Sequence, residues 1–261
     1  MLRTDVQYVD GKGQFTQAGV RAVASDISAV ASSLAGRNRI INGQGRINQR
    51  GYVSGTATTG ANQYTLDRWR VVTSGQNLLF TGSNAARTMT APAGGAEQVI
   101  EAANIEGGNY VINWTGTATC TVNGVSRAKG ASFTLPANTD ATVRFTGGTF
   151  TDAQLELGTT ATPFERLPIG DELARCQRYY ETGTIVFSGS VTSGLGYFLR
   201  VNFRVVKRST PTLGGTGTAE SGFPTTRTFS GNTHFIQEER AANGTVGNGF
   251  FASDWFASAE F

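Results

Sequence analysis

The chain has 261 residues, 34 of them glycine and 6 proline, with 16% charged residues and a formal net charge of +3. That charge is too small for the length to imply a nucleic-acid partner, and 39% apolar residues including 16 Phe leave too much to bury for disorder. No stretch reaches the roughly 18 apolar residues of a membrane span, and MLRTDVQYVD lacks an apolar signal core, so neither membrane insertion nor a secretory leader is expected.

In chain order, Asp10-Gly11 is a turn signal, and Thr16 is suited to cap the helix that follows. Val20, Val23, Ile27, Val30 and Leu34 then repeat at spacings of 3, 4, 3 and 4 before Gly36. These are the a and d positions of two heptads, and β-branched residues at both lean toward three strands. A trimerising coil and a lone amphipathic helix docked on a neighbour both fit, although two heptads alone are too short to hold. Arg37, Arg39, Arg46 and Arg50 follow, with no acid between Asp26 and Asp67. Without interleaved aromatics they predict solvent-facing arginines on hairpins, or pairs across a subunit interface.

From residue 64 onward short alternating runs recur at turn spacings of about 8–12 residues. YTLDRWRVV (64–72) reads as one strand, and Asn123-Gly124 as a type I′ hairpin. About eight antiparallel strands argue for a jelly-roll sandwich, with Trp69 and Trp114 in its core. The alternation running from Thr142 to Leu157 should end with Leu155 and Leu157 buried and Pro163 as the stop. A short helix then starts at Gly170 or Asp171, with Leu173, Cys176 and Tyr180 as its buried stripe. Tyr179 and Tyr180 should wedge one domain against the other. Beyond it, Leu199, Val201, Phe203 and Val205 share one strand face opposite Arg200, Asn202 and Arg204, while 213–233 reads as loop. The fold class is thus mostly β: an N-terminal short helix or coiled coil (1–36), a central antiparallel jelly-roll β-sandwich (37–168), a joint helix (169–181) and a smaller C-terminal β-sandwich (182–261).

Little here points to catalysis. Glu97, Glu101 and Glu106 are spaced 4 and 5 apart around a turn at Gly107, a poor start for the two facing carboxylates of a glycosidase. There is one histidine, His234, no GxSxG elbow, no phosphate loop and no internal period. Cys120 and Cys176 stand 56 residues apart outside any CxxC or CxxH pattern, which predicts two buried free thiols, no metal and synthesis in a reducing cytoplasm. Asp67-Arg68 and Glu165-Arg166 read as local ion pairs. The expectation is a binding protein with no cofactor, not an enzyme.

Several blocks carry a resemblance: DGKGQFTQAGV (10–20), INGQGRINQRG (41–51), YTLDRW (64–69), AQLELGTTATPFE (153–165), DELARCQRYYE (171–181), FRVVKRSTPT (203–212) and ASAEF (257–261). In this order they resemble virion fibre proteins of tailed bacteriophages. The resemblance implies a homotrimeric tail or head fibre located in the virion. Residues 1–20 would attach it to other virion proteins, its middle domain would be a carbohydrate-binding-like jelly roll, and its distal domain would meet a host-surface glycan. Sugars stack on aromatic rings and are read by amides and carboxylates. On that basis the receptor-contact candidates are Trp255, His234, Arg240 and Tyr197, with a trimer interface the alternative for Trp255 and His234. A structural decoration protein without host contact is the rival reading, and a polysaccharide depolymerase a more distant one.

Overall fold

The computed structural model describes residues 9, 10, 12, 14, 16–19, 21, 37–224, 226–243 and 247–261. The trimerisation residues Val20, Val23, Ile27, Val30 and Leu34 lie outside them. Near the N-terminus, Asp10 Oδ1 accepts from the backbone N–H groups of Lys12 and Gln14, closing the expected turn, and Thr16 Oγ1 accepts from Gly19 N at 2.9 Å as an N-cap does.

Eleven strands build the first sandwich: β1 (Gln63–Tyr64), β2 (Arg70–Val71), β3 (Leu79–Ser83), β4 (Ala86–Ala91), β5 (Ala96–Ile100), β6 (Gly108–Thr115), β7 (Thr119–Val122), β8 (Val125–Arg127), β9 (Ser132–Leu135), β10 (Ala141–Thr146) and β11 (Gly148–Leu157). One sheet runs β1-β2-β5-β10-β7-β8 and the other β3-β4-β11-β6-β9. Setting aside the flanking β1, β2 and β3, the eight remaining strands interleave as first-eighth-third-sixth and second-seventh-fourth-fifth. That is a jelly roll. Alternation decides which side chains enter. In β10, Ala141, Val143 and Phe145 point inward and Thr142, Arg144 and Thr146 are half-exposed. Trp69, Trp114, Phe145 and Phe150 form the aromatic centre, with the two phenylalanines stacked at 4.5 Å. Asn123 and Gly124 both take positive φ, as a type I′ turn requires.

Residues 64–72 are not one strand. Arg68 lies in the left-handed region (φ 71), and the chain reverses over Thr65–Trp69 to pair β1 with β2. The run from Thr142 likewise divides at Gly147-Gly148 into β10 and β11. A bulge in β11 at Asp152 (φ 51) lets its far half leave β4. There the segment 38–43 takes over: Arg39 N donates to Leu155 O at 2.8 Å and Ala153 N to Gly43 O at 3.2 Å. A Cβ on Gly43 would strike the Ala153 carbonyl, so only glycine allows this approach. Leu155 is buried as expected. Leu157 is 43% exposed, because it is the strand's last residue at the rim, and the turn at Gly158 rather than Pro163 ends β11.

Helix α1 (Ile169–Gln177) starts one residue earlier than predicted, after Pro168. Its buried residues are Glu172, Cys176 and Gln177, with Leu173 half-buried. Tyr179, not Tyr180, continues the buried side, since Tyr180 already begins a strand with alternating faces.

The second sandwich has two three-stranded sheets, β12-β17-β14 and β13-β16-β15. Its strands are β12 (Tyr180–Val191), β13 (Gly196–Asn202), β14 (Thr212–Ser221), β15 (Thr228–Gly231), β16 (Phe235–Ala241) and β17 (Gly247–Ser258). The expected loop at 213–233 therefore contains two strands. Glycine-rich β14 is a strand because its neighbour β17 supplies the rings: Phe256 covers the place where a Gly214 Cβ would sit, at 2.7 Å, and Trp255 does the same for Gly183 of β12 at 2.6 Å. Leu199 and Val201 face the core as predicted, but β13 ends at Asn202. The chain leaves the sheet there, which lets Lys207 reach the joint and bury its ammonium against Glu181 Oε2 (2.5 Å) and Gln177 O (2.6 Å).

Candidate functional site

Between the sandwiches lies a third, small core of Ile41, Ile47, Cys176 and Tyr179, against which Leu173 and Phe261 pack. It is assembled from three distant parts of the chain. The segment 38–47 is mostly buried although it has no regular structure, so its backbone must be satisfied by side chains. The Gln98 amide exchanges two 2.8 Å bonds with Ile41, Asn42 N donates to Glu172 Oε1, and Trp69 Nε1 donates to Asn42 O at 2.9 Å.

The arginines of this region are not solvent-facing hairpin residues. Arg39 pairs with Glu106, Arg46 donates to Leu167 O, and Arg50 pairs with Glu260 at 3.2 Å. Arg68 also pairs with Glu260 rather than with its neighbour Asp67, which accepts instead from the backbone and side chain of Gln49. Arg166 donates to Ala85 O and Glu165 accepts from Asn38 N, so that predicted local pair is replaced by longer-range bonds as well. The Arg68 guanidinium sits 3.5 Å over the Tyr179 ring and that of Arg50 3.6 Å over Tyr180. The tyrosine pair thus wedges the two sandwiches together, as the sequence suggests. Burial pushes the Tyr179 hydroxyl up to about 12 and Cys120 to about 12, and drives Cys176 well above its ordinary value. Both thiols are free and buried. The carboxylates weighed for glycosidic chemistry are similarly engaged: Glu97 by Arg70 and Arg144, Glu101 by Arg178, Glu106 by Arg39.

The four receptor-contact candidates do not converge. His234 is exposed in the turn before β16, where its Nδ1 lies 2.9 Å from Thr233 Oγ1. Tyr197 is half-buried, packed edge-on to Phe223, and its hydroxyl accepts from Thr192 N. Trp255 and Arg240 correct the expectation. Trp255 is 4% exposed, laid across Gly183 inside the distal core. Arg240 is 1% exposed, bound to Glu238 (2.6 Å), Glu220 (2.8 Å) and Ser253 Oγ (2.8 Å), because inward-facing positions of β16 and β17 carry complementary polar groups.

What the fold does assemble is a groove of about 410 Å³ at the base of the β12-β17-β14 sheet, beside the joint. Its size falls among small-molecule sites, about 300–1,000 Å³. Outward-facing residues of adjacent strands meet in it by register: Thr182 opposite Phe256, and Thr184 opposite Asp254, with Thr216 on the far side of Asp254. Tyr180 and Phe256 are near-parallel, 6.3 Å apart at 18°, and Arg50 caps the stack from the first sandwich. Thr184 Oγ1 donates to Asp254 Oδ1 at 2.8 Å, and Asp254 is exposed. Asp254 is the one carboxylate among the described lining residues. The signal for this site was present in the sequence: β17 alternates Phe250, Ala252, Asp254 and Phe256 on one face. Without the register, their partners some 70 residues earlier could not be read.

A second cavity of about 470 Å³ is lined by Arg39, Asp171, Arg175 and Arg178 among others, but these guanidinium groups serve Glu106, the Asn38 carbonyl and Glu101. Among the described residues no group of three or more His, Cys, Asp or Glu could hold a metal ion, and no helix is long and apolar enough to cross a membrane. Comparison with family models, with curated proteins and with solved structures finds no match to this chain.

Proposed function

We propose that the chain is a bacteriophage virion fibre protein. It works as a homotrimer, attaches to other virion proteins through residues 1–20, and adsorbs to a host-surface glycan through its distal sandwich. The observation that carries this reading is the groove beside the joint, where an aromatic stack and an acceptor-rich rim meet on an outward sheet face. Such a surface suits the apolar and hydroxyl faces of a sugar. Binding is favoured over hydrolysis because the described residues of the groove include a single carboxylate, whereas glycosidic cleavage normally uses two. The heptad pattern of Val20, Val23, Ile27, Val30 and Leu34 supports the trimer.

Fluorescently labelled full-length protein tests the reading. It is expected to sediment at three times the chain mass across micromolar concentrations and to decorate cells of the host strain. A stable monomer overturns the trimer. A trimer that leaves host cells unlabelled favours the rival role of a structural head or tail decoration protein.

A further inference from the structure

Resting on the adsorption reading, we infer that the groove at the base of the β12-β17-β14 sheet is the glycan site, and that it takes an uncharged oligosaccharide. Three observations fix the ligand class. The first is the Tyr180–Phe256 pair, stacked near-parallel and backed by Arg50, which offers a flat π-surface to the C–H face of a pyranose ring. The second is Asp254, one row further along the sheet, exposed and held by the Thr184 hydroxyl on one oxygen. A carboxylate is an acceptor only, so it recognises groups that donate, and two neighbouring sugar hydroxyls do so. Thr182 beside Phe256 and Thr216 beside Asp254 add hydroxyls that can donate or accept, while the Thr184 hydroxyl, its proton given to Asp254, can accept.

The third observation is the charge balance. Arg50 is the groove's cation, but its guanidinium is held between the Tyr180 ring and Glu260, which it shares with Arg68. Asp254 has no cationic partner among the described salt bridges, so the groove exposes a carboxylate with no free cation beside it. A phosphate, uronate or sialate would meet that charge without a counter-ion. Acidic glycans and nucleic acid are therefore rejected, and neutral chains are accepted.

The test uses the full-length protein and an array carrying matched neutral and acidic oligosaccharides, followed by calorimetric titration of the strongest neutral hit. Asp254→Ala should weaken that hit about ten- to a hundredfold, as loss of a charged hydrogen-bond acceptor does. Phe256→Ala should weaken it about tenfold through loss of the stacking surface. Asp254→Asn should keep part of the neutral affinity while narrowing the gap to the acidic counterpart, which a merely structural role would not do. Because Phe256 also covers Gly214, its variant could misfold; Asp254 is exposed, so its two variants keep the test decisive, with unchanged melting as the fold check. If a neutral glycan binds and all the variants bind it equally, the groove is wrong while glycan adsorption stands. If acidic glycans bind best, the ligand class is wrong. If nothing on the array binds, the adsorption reading falls and this inference with it.

Discussion

The two sandwiches solve the same packing problem with different chemistry. In the first, 24 buried residues form one apolar cluster centred on Trp69, Trp114, Phe145 and Phe150. In the second, the apolar cluster has eight buried residues among those described, and a charged group sits beside it: Glu238, Arg240 and Ser253 are all buried between the sheets. The first core is specified by volume and interlocking rings, the second by rings laid over glycines and by a polar network with fixed partners. Arg240 and Ser253 both donate to Glu238 Oε1 while its buried Oε2 has no hydrogen-bond partner, so the distal domain depends on the geometry of a few polar contacts where the proximal one depends on area.

The comparison can be broken at its most apolar point. Trp69→Ala should cost about 3–5 kcal/mol, read from chemical denaturation, because it empties the centre of the larger core. Arg240→Ala is expected to destabilise the distal sandwich by about 3 kcal/mol, since it strands the Glu238 carboxylate in the interior. Replacing both members, Glu238→Leu with Arg240→Met, should recover most of that loss; failure to recover would mean the network does more than satisfy itself.

The joint supplies a smaller effect. Glu260 faces both Arg50 and Arg68, so Glu260→Gln should cost about 2 kcal/mol and raise hydrogen exchange in Tyr179, Tyr180 and Ala259 together. An unchanged exchange pattern would show that the stacked tyrosines hold the domains unaided. The smallest effect lies at the surface of the first sandwich. Burial pushes the Glu106 carboxyl up, but the Tyr110 hydroxyl and Arg39 outweigh it and leave its pKa below the ordinary 4.5. A depressed carboxyl stabilises the fold above its ordinary pKa and loses that contribution as pH falls through the folded value. Stability should therefore drop modestly below about pH 4.5, and Glu106→Gln should remove that part of the slope.

Legibility in the sequence followed the same divide. Where one face is buried and the other wet, as in β10, alternation marked a strand, but it ran on into β11 and hid the break at Gly147-Gly148. Asn123-Gly124 was legible because its turn is local, and Trp114 because its strand alternates; Trp69 is buried as expected, but from the turn before β2 rather than from a strand. Three features were not legible. Gly214 to Gly217 read as loop because the side chains that make β14 a strand belong to β17. Arg68 hides a turn inside YTLDRWRVV, since nothing local announces a left-handed arginine. The joint was visible as a boundary at 169–181, but its partners, Ile41, Gln98 and Glu260, are far off in the chain. The groove shares that difficulty: Asp254 and Thr184 become neighbours only through the register of β12 with β17.

The most direct measurement is competition for host cells. Purified wild-type protein, added in excess, should suppress adsorption of the parent particle in a dose-dependent way, and the Asp254→Ala protein should leave adsorption close to normal. Equal suppression by both proteins would contradict the groove, and no suppression by either would contradict host adsorption by this chain.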